Sequence, residues 1–416
     1  MPLQPEDPPT LGRRVSVVLR AAIVFSYAGV VVLRPGLPHN TAFVDLVLAA
    51  VSFGALLSMA RQGSPASEGA KRSLPWLWLI ILGSLLGLSG VGMASWGVSD
   101  LAIGLFAMIT FFCYWHLIHL HHLERYAVWG TVAGLAITLI TVVTDGNLRN
   151  AGLFSQPNYP GHYAVLAAMI LVYASRHWWA KALAIVAMIV VIQETGSFGA
   201  IVMVAVILAV LGWRLVTRHS AILAALLVAV ALFGVFVVGS FVSTGSSGLN
   251  TQVPNVSGSI NSTRFAKSKG SRFQLWSDDL RAWGQEPLGL GPAGILHRQV
   301  SILFGVPLEV HNDLLSYLVE RGVVGVVGFI GFWATMWRLA RRRGLARLML
   351  ITILVAGVFR ETMHYRHVWL LLAVAYVLDS RRPDAGEVAS DHLEETAAQA
   401  AAPGVEVHEA PAIDGR

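Results

Sequence analysis

The chain has 416 residues, 55% of them hydrophobic and 13% charged, with a mean hydropathy of +0.63 and a formal net charge of +6. A soluble domain carries about 25% charged residues, so this composition excludes one and predicts an all-α polytopic membrane protein. The single cysteine, Cys113, excludes an internal disulfide and any multi-cysteine metal site, and within its apolar run it reads as a packing residue.

In chain order, residues 1–14 form a short segment whose Arg13 and Arg14 precede the first apolar run. That run continues to Leu33, longer than a signal-peptide core of about 7–15 residues, and so reads as an uncleaved first helix. Apolar runs predict twelve spans, at 15–34, 41–60, 74–93, 99–120, 126–144, 161–175, 181–195, 197–214, 220–243, 312–337, 345–360 and 366–380. The first nine thus occupy 15–243 and the last three 311–380, with a large loop at 244–310 between them. The sixth and seventh are short for a bilayer of about 30 Å, which predicts tilt, a break or burial within the bundle. Residues 381–416 are rich in Ala, Glu and Asp and read as a disordered tail.

Orientation follows from Lys and Arg, which favour cytoplasmic connections. With a cytoplasmic N-terminus, the basic connections fall on alternate loops: Arg61/Lys71/Arg72, Arg125, Arg176/Lys181, Arg214/Arg218, Arg338–Arg347 and Arg381/Arg382. Both termini are therefore expected in the cytoplasm. The outward connections are nearly free of charge except in two loops, Thr144–Pro160 and Thr244–Val310.

The first of these places Arg149 and the turn Gln156–Gly161 above the sixth span. The second begins Ser/Gly/Asn-rich (Ser243–Thr263) and continues into SRFQLWSDDLRAWG (Ser271–Gly284). There Phe273, Trp276, Leu280 and Trp283 recur at helical spacing, predicting a short amphipathic helix. Ser271 followed by Gln274 matches a capping box, with Ser271 as N-cap and Arg272 as first helical residue. Arginine there adds to the positive end of the helix dipole, an arrangement suited to a phosphate held by free N–H groups and a guanidinium fork.

The tenth span opens HNDLLSYLVERGVVG (His311–Gly325), with His311, Asn312 and Asp313 at its outer mouth and Glu320 and Arg321 deeper. Ionisable groups in hydrocarbon need a wet position or a task. Gly322, Gly325, Gly328 and Gly331, three apart, predict close helix packing. Other polar groups read more simply. HLIHLHH (His116–His122) lies at a cytoplasmic helix end, Asp278 and Asp279 diverge by about 100° on a helix, and Arg338–Arg347 is a topology anchor. Glu194 and Arg360, at outer span ends, are candidates to face a cavity, and His364, Arg366 and His367 form a polar outer turn.

Taken together, Arg149 with GLFSQPN (Gly152–Asn158), the long outer loop with Ser271–Trp276 and PLGLG (Pro287–Gly291), and HN-x9-GxxG (His311–Gly325) resemble the O-antigen ligase family. The twelve-span layout with its large loop before the tenth span is also similar to the ligases. The resemblance implies a GT-C-type membrane glycosyltransferase at the periplasmic face of a Gram-negative inner membrane. It would move a glycan from undecaprenyl pyrophosphate to a sugar hydroxyl of lipid A–core, without cofactor, nucleotide sugar or metal. The family's functional histidine falls on His311 and its pyrophosphate-contacting arginines on Arg272 and Arg149, with Arg264 a poorer fit. Asn158, Asn312, Glu320 and Arg360 join Arg264 as substrate-binding candidates. O-antigen polymerases and protein O-oligosaccharyltransferases share the general pattern. Twelve spans also suit a lipid-linked sugar transporter, against which stand the absence of a two-half repeat and the gathering of polar residues on one face.

Overall fold

A computed structural model describes residues 13–32, 43–88, 95–145, 152–154, 158–219, 262–297, 300, 302–303, 306–307, 312–341, 344–359 and 362–381. The chain divides into a unit of Met1–Asp379 and a C-terminal unit of Ser380–Arg416. Helices α1 (Arg13–Gly29), α2 (Phe43–Arg61), α3 (Pro65–Leu88), α4 (Ser95–Leu120), α5 (Glu124–Thr144), α6 (Asn158–Ala174), α7 (Trp178–Thr195) and α8 (Phe198–His219) come first. They are followed by α9 (Ser262–Gln285), the short α10 (Gly294–His297), α11 (Asp313–Leu339), α12 (Leu345–Phe359) and α13 (Arg366–Ser380). Ile302–Leu303 and Val306–Pro307 pair antiparallel, with Ile302 opposite Pro307.

The segments Phe43–Arg61, Leu101–Leu120, Glu124–Thr144, Trp178–Thr195 and Asp313–Leu339 are each long and apolar enough to cross a membrane. The chain is a polytopic membrane protein. Each predicted span falls on a helix except 220–243, which lies outside the described residues, as do most of the tail and much of the 244–310 loop.

Two short helices show how length relates to position. In α6 every residue from Pro160 to Leu171 is buried, and in α13 every residue from His367 to Val377. Both are apolar on all sides, as core helices are. By contrast α7 buries a narrow line, Ala184, Ala187, Val191 and Thr195, and leaves Leu183, Val186 and Ile189 exposed.

Several helices start earlier than predicted, and in three of them the early start changes the reading. Helix α3 begins at Pro65 rather than near 74, because Ser64 and Ser67 cap it reciprocally: the Ser64 amide donates to Ser67 Oγ at 2.8 Å and the Ser67 amide to Ser64 Oγ at 3.0 Å. Proline at the first helical position adds to that start. Helix α6 begins at Asn158, so the predicted turn Gln156–Gly161 gives way to a first helical turn that tolerates Pro160. Helix α9 begins at Ser262, which moves Ser271 and Arg272 from a helix start to its interior. Ala266, Lys267 and Lys269 are sound helix formers, and one glycine, Gly270, costs about 1 kcal/mol, too little to end a helix.

The last three helices are tied at both ends by buried aspartates. At one end Asp379 of α13 accepts the Leu345 and Ala346 amides, each at 2.8 Å, and so caps α12; it also accepts from Tyr173 Oη at 2.9 Å. Arg341 donates to the Asp379 carbonyl at 2.6 Å. The opposite end, where α11 begins, is described below.

Helices α3 and α11 pack along their glycines. A Cβ on Gly83 would lie 2.4 Å from the Arg321 carbonyl oxygen and 2.6 Å from the Gly325 nitrogen. One on Gly328 would lie 2.7 Å from the Trp76 carbonyl oxygen, and one on Gly331 would meet the Trp76 ring at 2.2 Å. Small residues let helix backbones approach and gain dispersion contact that side chains would prevent. Gly83→Ala is therefore expected to lower stability by about 1–3 kcal/mol through overpacking against backbone that cannot move aside. Gly54→Ala, where no described atom lies within 4 Å, should leave the thermal transition in detergent near wild type.

Candidate functional site

Helix α11 is broken once, at Gly322, whose φ of 61° and ψ of −170° are not helical. A helix break leaves carbonyls short of helical donors. Here Val319 O accepts the Leu290 amide and Glu320 O accepts the Gly291 amide, both at 2.8 Å. Those donors belong to PLGLG, which runs as a strap across the break. Gly289, at φ 102°, has a conformation that L side chains rarely adopt, and a Cβ there would lie 2.5 Å from the Glu320 carbonyl oxygen. A Cβ on Gly322 would lie 2.5 Å from Leu288, and one on Gly87 of α3 would lie 2.4 Å from the Gly291 nitrogen. Three pieces of backbone thus meet at glycines.

Around the strap, Leu290, Ile295, Leu315 and Val319 form a small buried cluster flanked by Trp276 and Trp283 of α9. Trp283 Nε1 donates to the Pro287 carbonyl at 3.3 Å, joining the end of α9 to the strap. The predicted stripe on α9 is shifted: Leu275 and Asp279 are buried, whereas Leu280 is 46% exposed.

Glu320 and Arg321 lie just before the break. Their side chains are 8% and 2% exposed, and Arg321 Nη1 sits 3.3 Å from Glu320 Oε2. The Arg321 guanidinium also lies over the Tyr317 ring, 4.3 Å from its centroid. Opposite charges held together and packed on an aromatic face answer the question posed by their depth.

The start of α11 is built by the two residues after His311. Asn312 is the N-cap, its side-chain oxygen accepting the Leu315 amide at 3.0 Å. Asp313 is buried and reaches across to the turn before α13. Its Oδ1 accepts the Thr362 amide at 2.8 Å and the Met363 amide at 3.4 Å, and its Oδ2 accepts from Thr362 Oγ1 at 2.5 Å. A Cβ on Gly357 would lie 2.4 Å from Asp313 Oδ2, so that glycine makes room for the carboxylate.

Beyond that turn Arg366 pairs with Asp45 of α2, Nε to Oδ1 at 2.5 Å. Tyr365 lies 4.3 Å from Tyr159 and stacks at 5.5 Å on His367. His367 in turn meets Phe154 at 6.0 Å and Tyr163 at 5.7 Å. Phe154 belongs to GLFSQPN, and Asn158, its last residue, opens α6 with its carbonyl 3.5 Å from Ser197 Oγ.

Of the predicted site residues, Asn158 and Asn312 lie at this one end, linked through the aromatic turn, and Glu320 lies about two turns further along α11. Arg272 and Arg264 lie on α9; His311, Arg149 and Arg360 lie outside the described residues. The free N–H groups expected of a helix start at Ser271 are not available there, since α9 continues through it. The Asp45–Arg366 pair went unread, although a lone acid in the apolar run FVDLVLAAV was its signal. Elsewhere His116 is buried and satisfied, Nδ1 to Ser64 Oγ at 2.7 Å and Nε2 to Ser58 Oγ at 3.0 Å. Burial, then the neighbouring His122, holds His121 below the ordinary histidine range. No group of three or more His, Cys, Asp or Glu with metal-ligand geometry occurs among the described residues.

Gly289→Ala is expected to lower stability by at least about 1–3 kcal/mol, from backbone strain alone, and to make the strap open to protease. Gly284→Ala, where no described atom lies within 4 Å, should do neither. Thermal unfolding and limited proteolysis in detergent measure both.

Residues 183–330 match the family model described as O-antigen ligase. No curated protein matches the chain. The matched segment contains α9, the strap and the break in α11, the parts joined to one another above. Over that segment the chain is similar to the O-antigen ligase family.

Proposed function

We propose that the protein transfers a glycan from undecaprenyl pyrophosphate to a sugar hydroxyl of lipid A–core, at the periplasmic face of the inner membrane. The observation that carries this reading is the family match over the strap and the α11 break, which ties the strap to the helix whose cap, Asn312, follows His311 in the sequence. The orientation rests on Lys and Arg: Arg338, Arg341 and Arg347 crowd the end opposite Asp313, the end that the positive-inside rule assigns to the cytoplasm.

In the proposed reaction the acceptor oxygen attacks the anomeric carbon as the bond from that carbon to the pyrophosphate oxygen breaks. His311 orients the hydroxyl and takes its proton, a task suited to a group that titrates near neutral pH. The leaving group is undecaprenyl pyrophosphate, whose charge needs stabilising more than protonation. Arg272 and Arg149 supply that with planar forks. Arg264, Asn158, Asn312 and Arg360 serve binding, Asn312 while capping α11. Glu320, paired with Arg321, supports the site from beside the break in α11. No nucleotide sugar or metal enters this scheme.

Purified protein, a lipid-linked glycan and a rough lipid A–core acceptor test the reading. A covalent product excludes pure transport, and its dependence on the core acceptor excludes a polymerase. His311→Ala should abolish transfer with expression and thermal stability near wild type; wild-type turnover in that variant would remove the proposed role. Arg272→Lys should lose about 10–100-fold, because a point charge forfeits a charge-assisted bond of about 1.5–3 kcal/mol.

A further inference from the structure

The strap lies deep along both helices that it touches. On α11, Gly322 stands 16 residues before the exposed Arg338, and on α3, Gly87, which meets Gly291, stands 15 residues after the exposed Arg72. At about 1.5 Å per helical residue, both distances come to about 22–24 Å. With Arg338 and Arg72 at one edge of a hydrocarbon layer about 30 Å thick, the strap sits about 6–8 Å inside the other edge. Helix tilt only takes it deeper.

The side chains on either side agree with that depth. Trp78, Leu82 and Leu85 of α3 are exposed, and so are Val323, Val327 and Ile330 of α11. Both rows reach the strap: Leu85 is two residues from Gly87, and Val323 follows Gly322, whose Cβ would lie 2.5 Å from the Leu288 carbonyl. Leu288 is itself 58% exposed, and Pro287 is exposed as well.

The backbone of the strap is also suited to hydrocarbon, where irregular chain survives only with its polar groups paired. The Gly289, Leu290 and Gly291 amides donate to the Glu286, Val319 and Glu320 carbonyls at 2.8–2.9 Å. Pro287 and Pro292 have no amide to satisfy. The Pro287 carbonyl accepts Trp283 Nε1, and the Gly291 carbonyl accepts the Gly294 amide. A turn lying in water needs less of this closure, because water would serve.

We propose that Pro287–Gly291 is a re-entrant segment of the large loop, seated inside the bilayer near the edge where α11 begins, and that Pro287 and Leu288 contact phospholipid acyl chains. The contact is with acyl chains rather than headgroups because these two exposed residues are apolar and uncharged. The inference goes beyond the function proposed above and does not depend on it, since the depth follows from helix length whichever way the chain is oriented.

Wild-type protein is reconstituted in phosphatidylcholine vesicles and irradiated with either an acyl-chain diazirine phosphatidylcholine or a water-soluble diazirine, and the adducts are mapped by peptide. The acyl reagent should mark the peptide holding Pro287 and Leu288 as it marks that holding Val323. The water-soluble reagent should instead mark α9 at Arg281, whose side chain is 74% exposed. For depth at single residues, Leu288→Cys, Val323→Cys and Arg281→Cys are labelled with a nitroxide; Cys113 is buried and takes none. Collision with oxygen relative to a water-soluble nickel chelate should agree within about twofold at positions 288 and 323, both inside a hydrocarbon layer of about 30 Å. It should be far lower at position 281. If the water-soluble reagent marks the strap peptide as heavily as α9, or the collision ratio at 288 equals that at 281, the strap lies in water and the proposal fails. Where the two measurements differ, photolabelling of the wild type, which carries no substitution, decides.

Discussion

The break in α11 at Gly322 is the constraint on which the rest of this end of the molecule depends. A helix that continued unbroken would satisfy its own carbonyls and offer nothing to the strap. Broken there, it accepts the Leu290 and Gly291 amides, and the large loop gains a fixed attachment to the membrane bundle. The contact is backbone to backbone, so it demands glycine on every partner: Gly289 on the strap, Gly322 on α11, and Gly83 and Gly87 on α3. A methyl group at these positions meets main-chain atoms, which cannot rotate away as a side chain does.

The polar residues of the bundle divide by what they do for that architecture. Asp313 and Asp379 each tie two elements at opposite ends of the final helices, satisfying amides that would otherwise be buried without acceptors. Arg321 and Glu320 satisfy one another beside the break, with the guanidinium laid on Tyr317. Arg366 and Asp45 do the same between α13 and α2. Much of the charge within the apolar helices is therefore structural.

Much of the fold was legible in the sequence, because bilayer thickness imposes long apolar runs that composition reveals directly. The spacing of Gly322, Gly325, Gly328 and Gly331 announced close packing; the last three meet α3, and Gly322 meets the strap. What periodicity could not show was the break, since a glycine that packs and a glycine that bends look alike in one sequence. Nor could it show that PLGLG is the piece that fills it, a pairing across about 30 residues of loop. The helix start expected at Ser271 failed for a different reason. A capping box is a local signal, and the residues before it favoured helix as strongly as those after. At Asn312 a cap does mark a helix start, where the apolar run begins.

Hydrogen exchange read by mass spectrometry on the peptide containing Gly289, Leu290 and Gly291 tests the docking of the strap most directly. Amides donated to α11 carbonyls should exchange slowly, at rates comparable with the helix itself, and Gly322→Ala should release them. Exchange in wild type as fast as in an unstructured loop would contradict the joint and, with it, the docking of the strap against α11.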